Sequence, residues 1–412
     1  MRALFTSTPG FGHLMPLTPI ARALVDAGHD VVFGAPSALR SAVEAAGFPW
    51  IKAGVEDNDP ELAAVRAGLA RVPADAPGSV PGSARSRYAR ENLFGGVLAR
   101  GLARDLLTLT ESWRPDVIVR ESWELGGLVA GELLGLPVAK VETDAAGGQP
   151  VELADFYAPV ARLLATLGRP DRSVADLLDR YLSLVPFPAA LRAGDSPMPP
   201  TAHGVRALPI DSANDGLPAW IDGIGSRPLV YVSLGTLYNG NARPTSTGLR
   251  GPEIFGKLLE GLADIDAEIV VTVGKDLDPA VLGPRAHHVH LERYLPLGAL
   301  LARCSLAVFH GGSGTLGYVV SHGLPMVILP LGADQPTNAV RCAELGASRT
   351  LDQGQLTPEH IREVVLDVLH TPSYRQAAGR LRDEFDALPG PELAVELLER
   401  LARDRAPIIA SR

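Results

Sequence analysis

Apolar runs alternate with amphipathic segments along the chain, and this alternation predicts a layered α/β fold. In the first half the pattern predicts strands at 2–7, 30–34, 116–119 and 137–141 and helices at 14–27, 37–46, 100–113 and 125–134. Apolar residues recur at helical spacing in the first of these helices, at Leu17, Ile20, Ala21 and Leu24. Strands that alternate with helices imply a parallel sheet with both faces covered.

The same alternation restarts after residue 228 and predicts a second unit of the same kind. Its predicted strands are 229–233, 268–273, 289–291, 305–309 and 326–329, and its predicted helices are 252–262, 297–301, 316–322, one from about 337, 358–369, 373–386 and 392–404. We therefore expect two Rossmann-like domains whose parallel sheets face a central cleft. Ligands of such sheets bind beyond the carboxyl ends of the strands.

Two segments depart from the pattern. Residues 52–92 are rich in Pro, Gly, Ser and Ala and are predicted to form a long surface loop, whereas 144–200 are predicted to form an irregular helical region. Loops on an α/β frame commonly shape a variable substrate pocket, which we expect 52–95 and 144–200 to enclose.

The chain is expected to divide at a Pro- and Gly-bearing linker. The linker is 206–227, and it separates an N-terminal domain, 1–205, from a C-terminal domain, 228–390. The final helical segment, 391–412, is expected to pack back on the N-terminal domain.

Composition narrows the class of protein. At 412 residues the chain exceeds one ordinary core, and 46% hydrophobic residues with a mean hydropathy of +0.12 suit a globular protein. A formal charge of −9 and a pI near 5.6 leave no broad basic surface for a nucleic acid.

Cys304 and Cys342 are too few for a disulfide framework, which fits a reducing cytoplasm. The chain has neither a signal-peptide core nor an apolar run of membrane-spanning length, so we expect a cytoplasmic protein without membrane insertion, and a homodimer stays open.

The strongest candidate for a ligand site is the sequence His-Gly-Gly-Ser-Gly-Thr at 310–315, between a predicted buried strand and a predicted helix. Its three glycines lack the Cβ atoms that would hold a ligand away from the backbone, and they permit positive φ angles. The helix N-terminus adds free N–H groups, while Ser313 and Thr315 add hydroxyl donors. A tight turn without a ligand is the alternative, but His310 at its entrance favours a phosphate. The Lys-Ser/Thr ending of a nucleotide-hydrolysing loop is absent.

His13 and Glu121 are the candidate proton-transfer pair. His13 follows the first glycine turn and Glu121 follows the strand 116–119, so both lie at the ligand-facing edge of the same predicted sheet. An imidazole accepts a proton near neutral pH when a partner orients it, and a carboxylate that accepts its Nδ1–H also stabilises the imidazolium. A helix-capping or surface histidine and a solvated loop carboxylate are the alternatives.

Further polar groups follow strands of the second half. Ser233-Leu-Gly-Thr236 ends the strand 229–233 with hydroxyls that we expect to face the cleft. Asp334 and Gln335 follow the strand 326–329 and offer groups that suit sugar hydroxyls. An ordinary turn and a helix cap, respectively, are the alternatives.

Two other patterns are weaker. His287-His-Val-His290 suggests a metal site, but alternation places only His288 and His290 on one strand face, and no third ligand is evident nearby. We therefore expect no metal. The Gly10-x-Gly12 pair resembles a dinucleotide fingerprint without its third glycine or its ribose-binding carboxylate, which disfavours a nicotinamide oxidoreductase.

Taken together, these features resemble family-one glycosyltransferases of the GT-B fold, especially the bacterial enzymes that decorate natural products. The resemblance spans nearly the whole chain, and it is specific only when the motifs are taken in order. They are Pro9-Gly-Phe-Gly-His13 with Pro16, Ser233-Leu-Gly-Thr236, Tyr294-Leu-Pro296, the sequence 310–315 and Gly332-Ala-Asp-Gln335.

The resemblance implies an inverting, metal-independent glycosyltransferase. It would move a sugar from a dTDP- or UDP-sugar co-substrate to a hydroxyl of a hydrophobic aglycone, such as a polyketide or a phenolic, without a cofactor. His13 would be the general base, and Glu121 stands where the family usually has an aspartate that relays charge. The implied donor-binding residues are Gly12, Ser233, Gly235, Thr236, Tyr294, His310, Gly311, Gly312, Ser313, Gly314, Thr315, Asp334 and Gln335.

One departure from the family bears on the donor. Many relatives place a glutamate three residues past the last residue of the glycine-rich turn to hold both ribose hydroxyls, whereas this chain has Tyr318. Without that carboxylate a 2′-hydroxyl is not required, so we favour dTDP over UDP. A non-catalytic relative that binds a sugar nucleotide and a sugar-nucleotide epimerase on the same architecture remain as alternatives.

Overall fold

The structure contains two separate parallel sheets, as the alternation predicts. It is a computed structural model, and it describes residues 1–72, 83–147, 150–194, 196–208, 216–240, 245, 247–275, 277–283 and 286–410. The predicted pocket loop 52–95 and the predicted linker 206–227 each fall partly outside these residues, at 73–82 and 209–215.

The first sheet has seven strands in the order β3-β2-β1-β4-β5-β6-β7. They are β1 Arg2–Thr6, β2 Asp30–Ala35, β3 Trp50–Lys52, β4 Val117–Glu121, β5 Val138–Val141, β6 Leu182–Val185 and β7 Ala202–Gly204. The second sheet has six strands in the order β10-β9-β8-β11-β12-β13. They are β8 Leu229–Ser233, β9 Glu268–Thr272, β10 Val289–Glu292, β11 Leu306–Phe309, β12 Met326–Ile328 and β13 Ser348–Thr350.

Helices cover both sheets. In the first half they are α1 Phe11–Leu14, α2 Thr18–Asp26, α3 Arg40–Ala45, α4 Pro60–Arg71, α5 Ala84–Tyr88, α6 Ala99–Ser112, α7 Gly126–Leu134, α8 Pro150–Thr166 and α9 Val174–Leu178. In the second half they are α10 Gly251–Leu262, α11 Leu297–Leu301, α12 Ser313–Ser321, α13 Gln335–Glu344, α14 Pro358–His370, α15 Pro372–Asp386 and α16 Pro391–Asp404. Within the part of the chain that the structure describes, none of the helices is long and apolar enough to span a bilayer.

The prediction of a surface loop at 52–92 holds for 53–59 and is wrong for 60–71 and 84–92, which are helical. Helix α4 begins where the Asp59 side chain accepts hydrogen bonds from Glu61 N and Leu62 N, with Pro60 at the first helical position. After 73–82 the chain continues through α5 into a π-helix, Ala89–Leu98. The Ala, Leu and Arg residues of this region favour a helix, and its glycines and prolines concealed that preference.

The prediction for 144–200 is also incomplete, because this region supplies a strand to the sheet. Beside α8 and α9 it contains β6, whose four residues are all buried, and β7 follows it at the sheet edge. Periodicity does not distinguish so short an apolar run from a helix turn. The edge strands β3 and β13, of three residues each, escape prediction for the same reason.

The last helix lies against the first sheet. Leu398 and Leu401 of α16 are fully buried in the same apolar cluster as Leu17 and Leu24, which lie near the start of the chain. The two ends of the chain therefore share one core.

The strand order explains where polar residues collect. In the first sheet β1 pairs with β4, so the turn after β1 lies beside the loop after β4. In the second sheet β11 lies between β8 and β12, so the turns after these three strands meet at one edge. All strands are parallel, and these connections therefore share the carboxyl edges at which ligands of such sheets bind.

Candidate active site

His13 and Glu121 meet at the carboxyl edge of the first sheet. Nδ1 of His13 lies 3.3 Å from Oε2 of Glu121, and the side chains are 28% and 0% exposed respectively. The two atoms make an ion-pair contact without the angle of a good hydrogen bond. Gly10 makes room for the imidazole, because a Cβ at position 10 would lie 2.9 Å from its Cδ2 atom.

The Glu121 carboxylate is held in place by its own loop and by the turn after β1. Oε1 accepts hydrogen bonds from the backbone N–H and the hydroxyl of Thr8, at 3.2 and 2.7 Å. Oε2 accepts one from the backbone N–H of Trp123 at 2.6 Å. Burial acts to raise the pKa of Glu121, but the charge of His13 and these hydrogen bonds outweigh it and hold the pKa below its ordinary value. The carboxylate is therefore ionised and points at the imidazole.

This arrangement makes His13 more basic. Burial acts to lower the pKa of His13, but the negative charge of Glu121 outweighs it and raises the pKa above 6.5. Asp144, which follows β5, and Asp334, which follows β12, raise it further. Asp334 belongs to the second sheet, so His13 feels charge from both sides of the cleft.

The sequence patterns did not identify Phe94, Trp123 and Asp144, which also lie at this site. The Trp123 indole Nε1–H donates to Asp144 Oδ2 at 2.9 Å, and its ring lies 5.1 Å from that of Phe94. The Phe94 ring lies 6.1 Å from the His13 imidazole. Burial raises the pKa of Asp144 well above its usual range, and the charges of Asp334 and Glu142 raise it further. The position of Asp144 just after a strand was a signal that was available, whereas the π-helix that carries Phe94 was not predicted.

The sequence 310–315 forms a strand-to-helix turn, here called the phosphate turn. Gly311 has a φ of +86°, and a Cβ there would lie 2.6 Å from Ile328. Helix α12 begins at Ser313 rather than at the predicted Leu316, so the turn is shorter than expected. Gly314 and Thr315 lie in the first turn of α12, where a helix offers its N–H groups no internal partner, and a Cβ at position 314 would meet no atom within 4 Å.

The His310 imidazole is packed between two glycines. A Cβ at Gly235 or at Gly312 would lie 2.4 or 2.5 Å from Nε2 of His310. The residue is 8% exposed, and its Nδ1 atom has no hydrogen-bond partner in the described residues. Burial lowers the pKa of His310 to about 4, so the ring is neutral near pH 7. A neutral imidazole with an unused nitrogen can donate one hydrogen bond to an anion without carrying charge into the core.

Asp334 caps the helix of the phosphate turn. Its Oδ2 accepts hydrogen bonds from the backbone N–H and the hydroxyl of Ser313, at 2.9 and 2.6 Å, and one from Asn338 Nδ2 at 2.9 Å. The Ala145 N–H donates to the Ser313 hydroxyl at 2.8 Å. Ala145 follows β5 of the first sheet, so this contact joins the two halves of the cleft.

Gln335 lies under the loop that leads to it. Its Oε1 accepts hydrogen bonds from the backbone N–H groups of Leu331 and Gly332, at 2.7 and 3.1 Å, and the residue is buried. Ala333 adopts a left-handed φ of 57°, which is uncommon for a residue with a Cβ. Such strain is typical of functional loops.

The remaining predicted residues lie at the same two edges. The buried Ser233 hydroxyl accepts a hydrogen bond from Gly235 N at 3.2 Å, and Thr236 is exposed. Gly12 is exposed in α1, where a Cβ would meet no atom within 4 Å. Tyr294 follows β10 and is 65% exposed.

The histidines at 287–290 do not assemble a metal site. His290 Nε2 lies 2.8 Å from Glu268, and the His290 ring stacks on Trp220 with centroids 3.6 Å apart. In the residues that the structure describes, no group of three or more His, Cys, Asp or Glu side chains is arranged to hold a metal ion.

Comparison with protein families gives a match in the second half of the chain. Residues 256–401 match the family model described as "Erythromycin biosynthesis protein CIII-like, C-terminal domain". The matched segment contains the phosphate turn, Asp334 and Gln335.

Characterised relatives match over nearly the full length. The chain is 31% identical to 10-deoxymethynolide desosaminyltransferase of Streptomyces venezuelae, over 98% of this chain and 97% of that protein. It is 30% identical to 3-alpha-mycarosylerythronolide B desosaminyl transferase of Saccharopolyspora erythraea, over 98% of this chain and 99% of that protein.

Solved structures match equally broadly. The glycosyltransferase SnogD from Streptomyces nogalater superposes with a TM-score of 0.77 at 26% identity, covering 98% of this chain and 99% of that one. The glycosyltransferase VinC, crystallised with dTDP, gives a TM-score of 0.76 at 25% identity, covering 98% and 100%. The predicted GT-B architecture is confirmed by these matches.

Proposed function

The chain belongs to the GT-B glycosyltransferases of antibiotic biosynthesis. From this premise we propose that it inverts the configuration at the anomeric carbon of the transferred sugar and uses His13 as the general base. The donor is a dTDP- or UDP-sugar, and the acceptor is a hydroxyl of a hydrophobic natural product. The contact between Ala145 and Ser313, at 2.8 Å, carries the proposal. It holds the edge that bears His13 against the start of the phosphate-turn helix, so that an acceptor and a donor would meet between them.

His13 acts on the acceptor. With its Nδ1 atom beside Oε2 of Glu121, the imidazole presents Nε2 to the acceptor hydroxyl and takes its proton. The acceptor oxygen forms a bond to the anomeric carbon as the bond from that carbon to the diphosphate breaks, and the bonding electrons leave with the phosphate oxygen. Attack from the face opposite the leaving group inverts the configuration. Glu121 stabilises the imidazolium that forms.

The phosphate turn acts on the leaving group. Negative charge grows on the departing diphosphate, where the N–H groups of Gly314 and Thr315 and the positive end of the α12 dipole would face it. His310 would donate its unused N–H to the same oxygens. These fixed donors stabilise the transition state more than the ground state, which is what accelerates the reaction.

The donor sugar would lie against Asp334 and Gln335. The three hydrogen bonds that the Asp334 side chain accepts all reach Oδ2, which leaves Oδ1 for a sugar hydroxyl. Gln335 uses Oε1 to fix its own loop, so its NH₂ group would be the one that contacts the sugar. Ser233 and Thr236 would assist at the diphosphate, and exposed Tyr294 would stack on the nucleobase.

Two observations favour dTDP over UDP. Tyr318 replaces the carboxylate that would hold both ribose hydroxyls. Among relatives, VinC is crystallised with dTDP, and another is described as a TDP-daunosamine transferase. We assign 1–205 to the acceptor and 228–390 to the nucleotide sugar, with 206–227 as the linker and 391–412 as the helix that returns to the first domain.

The proposal is tested by crossing dTDP- and UDP-sugars with a panel of hydroxylated polyketides and phenolics, followed by mass spectrometry and NMR of each product. We expect a glycoside of inverted anomeric configuration, formed with a dTDP-sugar in preference to a UDP-sugar. A product with retained configuration would contradict the mechanism. Isomerisation of the donor without any acceptor would favour an epimerase instead.

A further inference from the structure

Arg120 is a fully buried arginine directly beside the proposed catalytic pair. It is the penultimate residue of β4, it is 0% exposed, and it ranks among the largest completely buried side chains of the described residues. A guanidinium is rarely buried, because removing its charge and its five N–H donors from water is costly. What it contacts therefore indicates what it does.

The guanidinium of Arg120 donates to backbone carbonyl oxygens. Nη1 lies 3.1, 3.0 and 3.0 Å from the carbonyl oxygens of Glu121, Ser122 and Glu124. Nη2 lies 3.2 Å from the carbonyl oxygen of Leu178, at the end of α9. Three carbonyls of one short loop thus converge on a single donor atom.

This loop, residues 121–125, carries the groups that orient His13. Its first residue is Glu121, and the N–H of Trp123 donates to the Glu121 carboxylate at 2.6 Å. Three carbonyl oxygens that point inward at one place repel each other and are costly to bury without a donor. The guanidinium supplies that donor, beside the hydrogen bonds that Ser122, Trp123 and Glu124 make in and around the loop.

Arg120 itself cannot reach the imidazole. Successive side chains of a strand point to opposite faces of the sheet, so Arg120 and Glu121 project to opposite sides of β4. Arg120 lies on the face of Ile118, whereas Glu121 lies on the face where Val117 and Val119 join the core beneath α2. Arg120 therefore acts on His13 through Glu121, whose loop it contacts and whose negative charge it also attracts.

We propose that Arg120 is a positioning residue, which fixes the loop 121–125 so that the Glu121 carboxylate is aimed at His13. This inference rests on the proposed role of His13 as base. Without the guanidinium the three carbonyls turn toward other donors, the loop relaxes and the carboxylate moves away from the imidazole. A displacement of about 1 Å in such a group lowers turnover by up to ~10²-fold.

The consequence for His13 is measurable without any assay of activity. Glu121 raises the pKa of His13, with Asp144 and Asp334 acting in the same direction from the loops after β5 and β12. Of these three carboxylates, Glu121 lies in the loop 121–125 itself, and Asp144 accepts a hydrogen bond from Trp123 of the same loop at 2.9 Å. Loss of Arg120 therefore lowers the pKa of His13, and the acid limb of the pH–rate profile moves to lower pH.

The test compares Arg120→Gln, Arg120→Lys and wild type by NMR titration of His13, the pH dependence of kcat, and calorimetric titration with dTDP. We expect Arg120→Gln to lower kcat by ~10- to 100-fold and to lower the pKa of His13, while dTDP affinity stays within about twofold. Arg120→Lys, which keeps the charge and three donors, should restore part of both effects.

Leu106→Ala is the matched control, because Leu106 is fully buried on the same face of the sheet and contacts no catalytic group. It should lower stability and leave the pKa of His13 unchanged.

If both Arg120 variants keep the wild-type pKa of His13 and the wild-type kcat, the proposal is overturned. If Arg120→Gln does not fold, Arg120→Lys alone tests the proposal. Its single amine cannot reach all the carbonyl oxygens that Arg120 contacts, so the pKa of His13 must still fall. Loss of turnover in His13→Ala, measured alongside, separates this outcome from failure of the proposed function.

Discussion

Nδ1 of His13 lies 3.3 Å from Oε2 of Glu121, a fully buried carboxylate from a different strand connection of the same sheet. Thr8 and Trp123 fix both oxygens of that carboxylate. This arrangement selects the tautomer that carries its proton on Nδ1 and leaves Nε2 free to accept one. The Glu121 carboxylate is therefore held in place by groups other than His13.

Replacing His13 with Ala should abolish most of the turnover and little of the donor binding. We expect kcat to fall by ~10²–10⁴-fold, because a positioned general base contributes that much to proton transfer. The dTDP affinity should change little, because the phosphate turn lies on the other sheet. Steady-state kinetics at saturating donor and calorimetric titration measure the two effects, and an unchanged kcat would exclude His13 as base.

Replacing Glu121 with Gln should change the pH dependence of the reaction. His13 accepts a proton only when neutral, so activity is lost as the pH falls through its pKa, which Glu121 raises above 6.5. Removing the charge lowers that pKa, and the acid limb of kcat/KM moves to lower pH. The plateau should also fall, because the imidazolium loses its counter-charge.

Glu121→Asp serves as the control for this prediction. It keeps the charge on a shorter side chain, so the acid limb should move less than in Glu121→Gln. An acid limb at the same pH in wild type and in Glu121→Gln would show that the carboxylate does not act on His13.

Replacing Gly312 with Ala should weaken donor binding through His310. The backbone at Gly312, with φ −64° and ψ 138°, accepts a side chain without strain, but the new Cβ would lie 2.5 Å from Nε2 of His310. The imidazole must move, and we expect KM for the nucleotide sugar to rise about tenfold or more. Gly256→Ala is the matched control, because a Cβ there meets no atom within 4 Å. Equal donor KM values in Gly312→Ala and wild type would remove His310 from the donor site.

Replacing Tyr318 with Glu should shift the donor preference toward UDP. Tyr318 lies on α12, one turn past the phosphate turn, where a carboxylate would face both ribose hydroxyls. The ribose of UDP differs from the deoxyribose of dTDP by its 2′-hydroxyl, and one hydrogen bond from it to a charged group contributes about 1.5–3 kcal/mol, so we expect the ratio of kcat/KM for UDP- over dTDP-sugar to rise at least tenfold. Competition between the two donors in one reaction measures this ratio directly. An unchanged ratio would mean that the ribose lies elsewhere.

Much of the fold follows from hydrophobic periodicity alone. The central strands β1, β4, β8 and β11 each contain at least three consecutive apolar residues, and the amphipathic helices α14, α15 and α16 each show one apolar stripe. The short edge strands do not follow from periodicity. A three-residue strand such as Trp50–Lys52 is defined by its neighbour β2 and not by its own sequence.

The residues of the site likewise divide into those that the sequence predicts and those that it does not. His13, Glu121 and the phosphate turn are predictable, because each lies at the carboxyl end of a strand and offers the right chemistry. Arg120 is not, since an arginine at the end of a strand is ordinarily solvated. Nor is the position of Phe94, which depends on a π-helix that no periodicity announces. The partners that orient a catalytic group are set by tertiary contacts rather than by local sequence.

The most direct test of the account is a crystal structure of the protein with dTDP bound. We predict that the diphosphate contacts the N–H groups of Gly314 and Thr315 and the imidazole of His310, with Nε2 of His13 facing it across the cleft. An empty phosphate turn, or a nucleotide bound away from the cleft that His13 faces, would contradict the account.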